Sequence, residues 1–223
     1  MTLPYKIEQS ERKTISLTIE RNNDLVIKAP LHATHQKIEE FFFKKQIWLY
    51  TKLEEKKNIE KSTSIKELVP WEGFYFLGRM YKLDIVDEVD FKLRFKNRKF
   101  ELNREYLVEW RELFLDWYKT QFYDKVLPRV KNLSNRCGFE PTNISVQELN
   151  NRWGSCTKDN KLNFHWKVVM APLSVIDYII VHELCHIKEK NHSSKFWDMV
   201  ERFMPDYQNH KEWLRKNWGE FVL

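Results

Sequence analysis

Cysteine is scarce in this sequence, and no long apolar run occurs in it. The 223 residues include three cysteines, Cys137, Cys156 and Cys185, an odd number that argues against a disulfide framework. They share no CxxC spacing, which disfavours a separate cysteine zinc knuckle. We therefore expect them to be small buried hydrophobic residues.

The sequence also lacks the signals of a membrane or secreted protein. No apolar run approaches the roughly 18 residues that a membrane-spanning helix needs, and charged residues make up 31% of the chain. The start, MTLPYKIEQSERK, has no apolar segment of the kind found in signal peptides. We expect a cytoplasmic protein without membrane contact.

The charge balance excludes little by itself. The 38 basic and 32 acidic residues give a formal charge of +6, a mild excess that favours contact with anions without establishing nucleic-acid binding. Hydrophobic residues make up 42% of the chain, enough to build a core in one large domain or two small ones.

Periodicity predicts an α+β fold with two parts. Residues 1–102 are expected to form an N-terminal β-rich subdomain with one helix, and residues 103–223 a mainly helical domain with a small β-sheet. In the first part we expect a hairpin at 14–30, a helix at 34–57, and strands at 74–86 and 90–102. In the second we expect a helix at 104–133 that Pro128 kinks or breaks, a strand at 143–149, a hairpin at 151–172 that turns at KDNK, and three further helices.

The most informative stretch is VHELCHIKEKNH, which begins at Val181 within an apolar helical run. His182 and His186 are four residues apart, so a helix places their rings about 40° apart around its axis and one turn above each other. Glu183 lies about 100° from His182 and can reach the edge of the same site. Burying these groups unpaired would be costly, whereas a divalent metal binds neutral imidazoles. The pattern is H-E-x-x-H, the zinc-peptidase helix motif.

A third ligand has to come from outside this helix, because catalytic zinc usually takes three protein ligands and leaves one position for water. His192 follows His186 by six residues and would point about 120° away if the helix continued. The helix must therefore end first, and Asn191 tolerates the left-handed turn that this requires. We predict His192 as the third ligand, with Asp198 or Glu201 on the following helix as the alternative.

Three segments, RWGSC, APLSVIDYIIVHELCH and NHSSKFW, together and in this order resemble the YgjP-like metallopeptidase family, a relative of the SprT-like zincins. The segment SERKTISLTIERNNDLVIKAP is similar to that family's N-terminal strands, so the resemblance covers essentially the whole chain. It implies a zincin-like C-terminal domain, a zinc site at His182, His186 and His192, and Glu183 as the catalytic acid/base. Peptide hydrolysis is the activity it implies, and nucleotide pyrophosphatase activity is kept as an alternative.

These residues predict a zinc-dependent hydrolase, a metallopeptidase in the first instance, with one Zn2+ or another divalent transition metal per chain. The metal would lower the pKa of its bound water toward about 7 and polarise the scissile carbonyl. Glu183 would take the water's proton and deliver it to the leaving amine. A further donor is needed for the developing oxyanion, and the candidates are Arg152, His165 and Tyr207.

The segment NRWGSC is expected to lie on a strand beside the site, where an extended polypeptide can add by main-chain hydrogen bonds. The candidate substrate-binding residues are Trp153, Gly154 and Ser155, and Gly154 would permit close backbone approach. The alternative is a tight strand bend packed under Trp153.

The segment FKLRFKNRK alternates, with Lys92, Arg94 and Lys96 on one face of a strand. This face is either a solvated surface or a docking surface for a nucleotide or nucleic acid. Two other functions therefore stay open: a metal-dependent nucleoside triphosphate pyrophosphatase of the UTP type, and a non-enzymatic nucleic-acid-binding module with a structural metal. The second is weakest, because a structural zinc site wants four protein ligands and gives Glu183 no purpose.

Overall fold

The computed structural model describes residues 4–19, 24–45, 49, 68, 72–149, 152–221 and 223. The chain forms two compact units, Met1–Thr63 and Ser64–Leu223. Each unit combines a β-sheet with helix, which confirms the α+β class.

The first unit holds a three-stranded sheet. Its strands are β1 (Tyr5–Ser10), β2 (Ser16–Ile19) and β3 (Leu25–Pro30), in the order β1-β3-β2. β3 pairs antiparallel with β2, as the hairpin prediction requires, and parallel with β1. A helix, α1, covers 35–45 and buries Ile38 and Phe42 in a core shared with Leu25 and Ile27. The rest of the helix predicted to 57 lies outside the described residues, apart from helical Leu49.

The second unit begins with a four-stranded sheet. Its strands are β4 (Gly73–Phe76), β5 (Arg79–Val86), β6 (Leu93–Lys96) and β7 (Lys99–Asn103), in the order β4-β5-β7-β6. Each of the two long strands predicted here is in fact a hairpin. Two consecutive residues with positive φ make each turn, Leu77 and Gly78 (47° and 79°) in one, and Asn97 and Arg98 (50° and 61°) in the other. Such turns match the right-handed twist of paired strands.

This sheet belongs with the helices that follow it. Phe74 on β4 stacks on Phe114 of α2 (Trp110–Gln121), with ring centroids 4.1 Å apart, and Phe100 on β7 lies 5.1 Å from the same ring. The predicted boundary at 102/103 therefore falls inside the second unit, because the strands at 73–103 bury their aromatic side chains in the helical core.

The helix predicted at 104–133 is divided into segments. A 3-10 segment (Arg104–Glu109) leads into α2, and a π-helical turn (Phe122–Val126) separates α2 from α3 (Leu127–Cys137). Pro128 lies in the first turn of α3, where its missing N–H is tolerated. The helix is thus interrupted just before the proline.

A second, three-stranded sheet borders the site. Its strands are β8 (Asn143–Gln147), β9 (Gly154–Cys156) and β10 (Lys161–His165), in the order β8-β10-β9. β9 and β10 form the predicted hairpin through the KDNK turn, and β9 is an edge strand. Residues Trp166–Met170 form a 3-10 turn instead of continuing the strand.

Three helices complete the unit: α4 (Leu173–Cys185), α5 (Ser194–Phe203) and α6 (Tyr207–Asn217). α4 is buried nearly all round and carries the H-E-x-x-H motif at its C-terminal end. Within the described residues, no helix has both the length and the apolar character needed to cross a membrane.

Candidate metal centre

Three histidine side chains converge at the C-terminal end of α4. His182 lies in its last turn, His186 is the C-cap residue, and His192 lies between α4 and α5. The Nε2 atom of His192 is 3.0 Å from Nε2 of His182 and 3.1 Å from Nε2 of His186. The candidate ligand atoms of the three residues all lie within 4.8 Å of one another. Side chains from two different segments of the chain therefore meet at one point.

The chain delivers His192 by ending α4 in a tight turn. The backbone N–H groups of Lys188 and Glu189 both donate to the carbonyl of Cys185, at 3.1 and 3.0 Å. Asn191 does not adopt the left-handed conformation that the sequence suggested, since positive φ values lie elsewhere among the described residues. Ser193 then caps α5, its Oγ accepting from Phe196 N at 3.4 Å. Backbone hydrogen bonds at the end of α4 therefore produce the bend that brings His192 to the other two histidines.

The first turn of α5 packs against the histidine cluster. The ring of Phe196 stacks on His186 at 4.4 Å and meets His182 edge-on at 4.9 Å, and Trp197 stacks on His192 at 5.5 Å. Asp198 and Glu201, the alternative ligands, are exposed and lie outside the cluster. α5 therefore turns aromatic rings, and not carboxylates, towards the three imidazoles.

A cavity of about 500 Å³ opens beside the cluster. β9 and the residues just before it form one wall, and α4 forms another. The full lining is Arg152, Trp153, Gly154, Ser155, Cys156, Tyr178, Ile179, His182, Glu183, His186, Lys190, His192 and Leu214. The histidines thus face a space large enough for part of a substrate.

Glu183 is 6% exposed, and its Oε2 is enclosed without a hydrogen-bond partner among the described residues. Burial raises the pKa of Glu183 to about 8, and the positive charge of Arg152 opposes this rise. Burying a carboxyl group without a partner is costly. The burial of Glu183 therefore indicates that its carboxyl group acts on a bound group or in a reaction.

The three imidazoles are arranged as neutral bases. Burial, together with the charges of His186 and His192, lowers the pKa of His182 to about 3. His186 Nδ1 lies 2.9 Å from the carbonyl oxygen of Glu189, and donation to that oxygen leaves the Nε2 lone pair directed at the centre. Adjacent lone pairs cannot satisfy one another, whereas a divalent cation would satisfy all of them. The donor set therefore fits a metal ion.

Gly154 allows β9 to lie directly against Glu183. A Cβ atom at this position would come within 2.7 Å of both Cγ and Oε1 of Glu183. The neighbouring Trp153 packs edge-to-face on Phe221 at 5.8 Å. β9 thus lies beside Glu183 as the edge strand of its sheet, and the chain bends at Trp153 just before it.

Replacing Gly154 with alanine should reduce hydrolysis by at least about 10-fold, because the new methyl group forces the Glu183 carboxylate to move, and small displacements of a catalytic group are costly. Metal content should stay near the wild-type level. Gly138→Ala is the matched control: Gly138 has φ of 69°, and a Cβ atom added there would meet nothing within 4 Å. It should lose on the order of 1 kcal/mol of stability and keep its activity. Wild-type activity in Gly154→Ala would show that β9 does not restrain Glu183.

Of the three donors proposed from the sequence, only Arg152 lines the cavity. His165 is buried, its Nδ1 accepts from Lys167 N at 3.1 Å, and burial lowers its pKa to about 4. Tyr207 is 8% exposed and lies behind Tyr178, with their rings stacked at 6.4 Å. Neither His165 nor Tyr207 borders the cavity.

Sequence reasoning missed two polar residues of the cavity wall, Tyr178 and Lys190. Tyr178 precedes His182 by one helical turn, so the i, i+4 rule that paired the histidines also places Tyr178 on their face. The Lys190 amine donates to Asn160 Oδ1 at 2.7 Å and to the carbonyl of Thr157 at 3.0 Å. It joins the turn after α4 to the β9–β10 turn, and no local pattern predicts such a contact.

The basic strand carries its own counter-charges. Arg94 pairs with Glu101 on β7, and Lys92 lies 3.8 Å from Glu109. Lys96 is exposed at the end of β6. These contacts match a solvated strand face and give no support to a nucleotide or nucleic-acid surface.

An open cavity with three converging imidazoles, two of them from the same helix as a buried glutamate, is typical of a metal-dependent hydrolase. The chain matches the model of the YgjP-like metallopeptidase domain over residues 13–217, and it belongs to this family. It is accordingly a peptidase of the metal-dependent class.

Two solved structures are similar to parts of the chain. One is the crystal structure of the metallopeptidase zymogen of Pyrococcus abyssi abylysin, at 19% identity over 44% of this chain and 99% of that chain, with a TM-score of 0.39. The other is the metallopeptidase zymogen of Methanocaldococcus jannaschii jannalysin, at 22% identity over 42% of this chain and 97% of that chain, with a TM-score of 0.38. No curated protein matches the chain.

Proposed function

We propose that this chain is a zinc metallopeptidase that holds one metal ion through His182, His186 and His192 and uses Glu183 as its general base. The observation that carries the proposal is the meeting of three Nε2 atoms, 3.0 and 3.1 Å apart, beside a buried carboxyl group in one open cavity. Three imidazoles with one position left open are typical of catalytic zinc. When bound, the metal would polarise the scissile carbonyl and acidify the attacking water.

Glu183 moves the proton in this reaction. It takes a proton from the attacking water as the water oxygen bonds to the carbonyl carbon. It then returns that proton to the peptide nitrogen as the C–N bond breaks, so that one water is consumed and an acid and an amine are released. Because burial raises the pKa of Glu183 towards neutrality, the carboxyl group is suited to both accepting and releasing a proton.

β9 orients the substrate. Within the described part of the chain it pairs only with β10, and its residues line the cavity. An extended polypeptide can therefore add to its free edge through main-chain hydrogen bonds, which impose little sequence requirement. Ser155 is fixed in this strand, where its Oγ accepts from Asn163 at 3.3 Å.

The other two functions gain no support from the site. Lys92 and Arg94 already face Glu109 and Glu101, so two of the three cations on this strand face are paired with carboxylates. A three-histidine cluster beside an open cavity differs from the four protein ligands of a structural zinc site. Polypeptide is therefore the substrate class that we propose.

Zinc-loaded protein should generate new N-termini in reduced, carboxymethylated casein and should release no pyrophosphate from UTP or other nucleoside triphosphates. The reason is that an edge strand next to the catalytic groups accepts an unfolded chain. Mass spectrometry of the digest and a pyrophosphate assay measure the two activities. Removal of the metal by a chelator should stop proteolysis, and added Zn2+ should restore it. Pyrophosphate release with intact casein would contradict the proposal.

A further inference from the structure

Tyr178 occupies a specific place in the wall of the cavity. It lies on α4 one turn before His182, and the two rings meet in a T-shaped contact with centroids 5.9 Å apart. On its other side the ring stacks on Tyr207, at 6.4 Å and an interplanar angle of 22°. The side chain is 4% exposed and borders the cavity that holds the three histidines. Contacts on both sides therefore hold the ring in place.

The hydroxyl of Tyr178 makes no hydrogen bond to any residue that the structure describes. Tyr118, another buried tyrosine of the helical core, has such a partner: its hydroxyl donates to the carbonyl of Tyr75 at 2.6 Å. Buried tyrosine hydroxyls normally find such a partner. The Tyr178 oxygen is not among the fully enclosed atoms that lack one, so it reaches open space, and the cavity is the space that Tyr178 borders. The Tyr178 hydroxyl can therefore donate a hydrogen bond to a group that binds in the cavity.

Peptide hydrolysis needs such a donor. As water attacks, negative charge develops on the carbonyl oxygen, and donors already in position stabilise this charge without reorganisation. Arg152 is exposed, so a substrate would have to order its long side chain first. A phenol is neutral and carries one O–H donor at neutral pH, and the ring of Tyr178 is already packed between His182 and Tyr207.

We infer that Tyr178 is a catalytic residue, whose hydroxyl donates a hydrogen bond to the scissile carbonyl oxygen in the transition state. The inference rests on the proposed peptidase function and adds to it the oxyanion donor that neither His165 nor Tyr207 can supply from outside the cavity.

The test compares Tyr178→Phe with Tyr207→Phe, which removes a hydroxyl from the ring directly behind. Tyr178→Phe should lower kcat for casein-derived peptides on the order of 10²-fold, the usual effect of deleting one such donor. KM should change by less than about threefold, because the bond forms only in the transition state. Metal content and unfolding temperature should stay at wild-type values, and Tyr207→Phe should keep the wild-type kcat.

A second measurement needs no turnover. A phosphinic peptide built on a cleaved casein sequence carries a tetrahedral group in place of the scissile peptide bond and mimics the transition state. Calorimetry should show that Tyr178→Phe binds it more weakly, by about the factor lost in kcat/KM. The affinity for the product peptides should be unchanged.

Wild-type kcat together with wild-type phosphinate affinity in Tyr178→Phe would overturn the inference. Equal losses in both tyrosine variants, or loss of metal from Tyr178→Phe, would also overturn it, since either result indicates a packing role. Failure of the proposed function looks different, because the wild-type protein itself would then cleave no polypeptide.

Discussion

Replacing Glu183 with glutamine should abolish peptide hydrolysis while the metal stays bound. Glutamine has the size and polarity of glutamate but cannot accept the proton of the attacking water, so kcat should fall by a factor on the order of 10² or more. Peptide turnover and elemental analysis of the same preparation measure the two properties. About one metal ion per chain is expected in both proteins, because the three imidazoles that meet are untouched.

Loss of fold should not contribute to this effect. The Glu183 side chain is 6% exposed and lacks a partner for Oε2, so a neutral amide is easier to bury than the carboxylate. The unfolding temperature of Glu183→Gln should therefore equal or exceed that of the wild type. Glu201→Gln, an exposed acid on α5, is the matched control and should retain full activity. Turnover at the wild-type rate in Glu183→Gln would exclude Glu183 as the base, whatever the substrate.

Replacing His192 with alanine should remove the metal. The change leaves two imidazoles on one helix, and loss of a direct ligand should weaken binding by more than the 10- to 100-fold typical of outer-shell partners, that is, by about 100-fold or more. Titration of the metal-free protein with Zn2+ against a competing chelator measures this. The fold should persist, because His192 is exposed and lies in the segment between two helices.

The matched control is Asp198→Ala, which removes the rival ligand from the next helix. Its zinc affinity should equal that of the wild type, because Asp198 is exposed and lies outside the histidine cluster. The reverse pattern, with tight binding in His192→Ala and loss of zinc in Asp198→Ala, would replace the three-histidine site with a His-His-Asp site.

Local geometry accounts for the part of the site that the sequence predicts. The rings of His182 and His186 meet because residues four apart on any α-helix share a face, and α4 extends through Cys185 to a helical C-cap at His186. The same rule, applied one turn earlier, would have selected Tyr178. Nearness along the chain to the motif favours Tyr207 instead, and the structure places it behind Tyr178.

Segments whose conformation depends on their surroundings were predicted less well. The strands expected at 74–86 and 90–102 turn back as hairpins at Leu77–Gly78 and Asn97–Arg98, where three of the four turn residues are not glycine. In the first hairpin, tertiary contacts hold this backbone conformation, because Leu77 N and Gly78 N donate to the carbonyls of Val169 and Met170, each at 2.9 Å. These partners lie more than ninety positions along the chain, beyond the reach of any local pattern.

The sequence alone determined the α+β class, the family and the helix that carries His182, Glu183 and His186, because period, apolar character and short motifs are properties of neighbouring residues. Only the tertiary structure decided the surroundings of these groups. The contact of Gly154 with Glu183 joins an edge strand to a helix, and the packing of Phe196 and Trp197 brings α5 onto the histidines. The position of the Tyr178 hydroxyl depends on α6, whose first residue, Tyr207, stacks on the Tyr178 ring. Each of these contacts joins segments that no helical or strand period links, so it exists only after the core has packed.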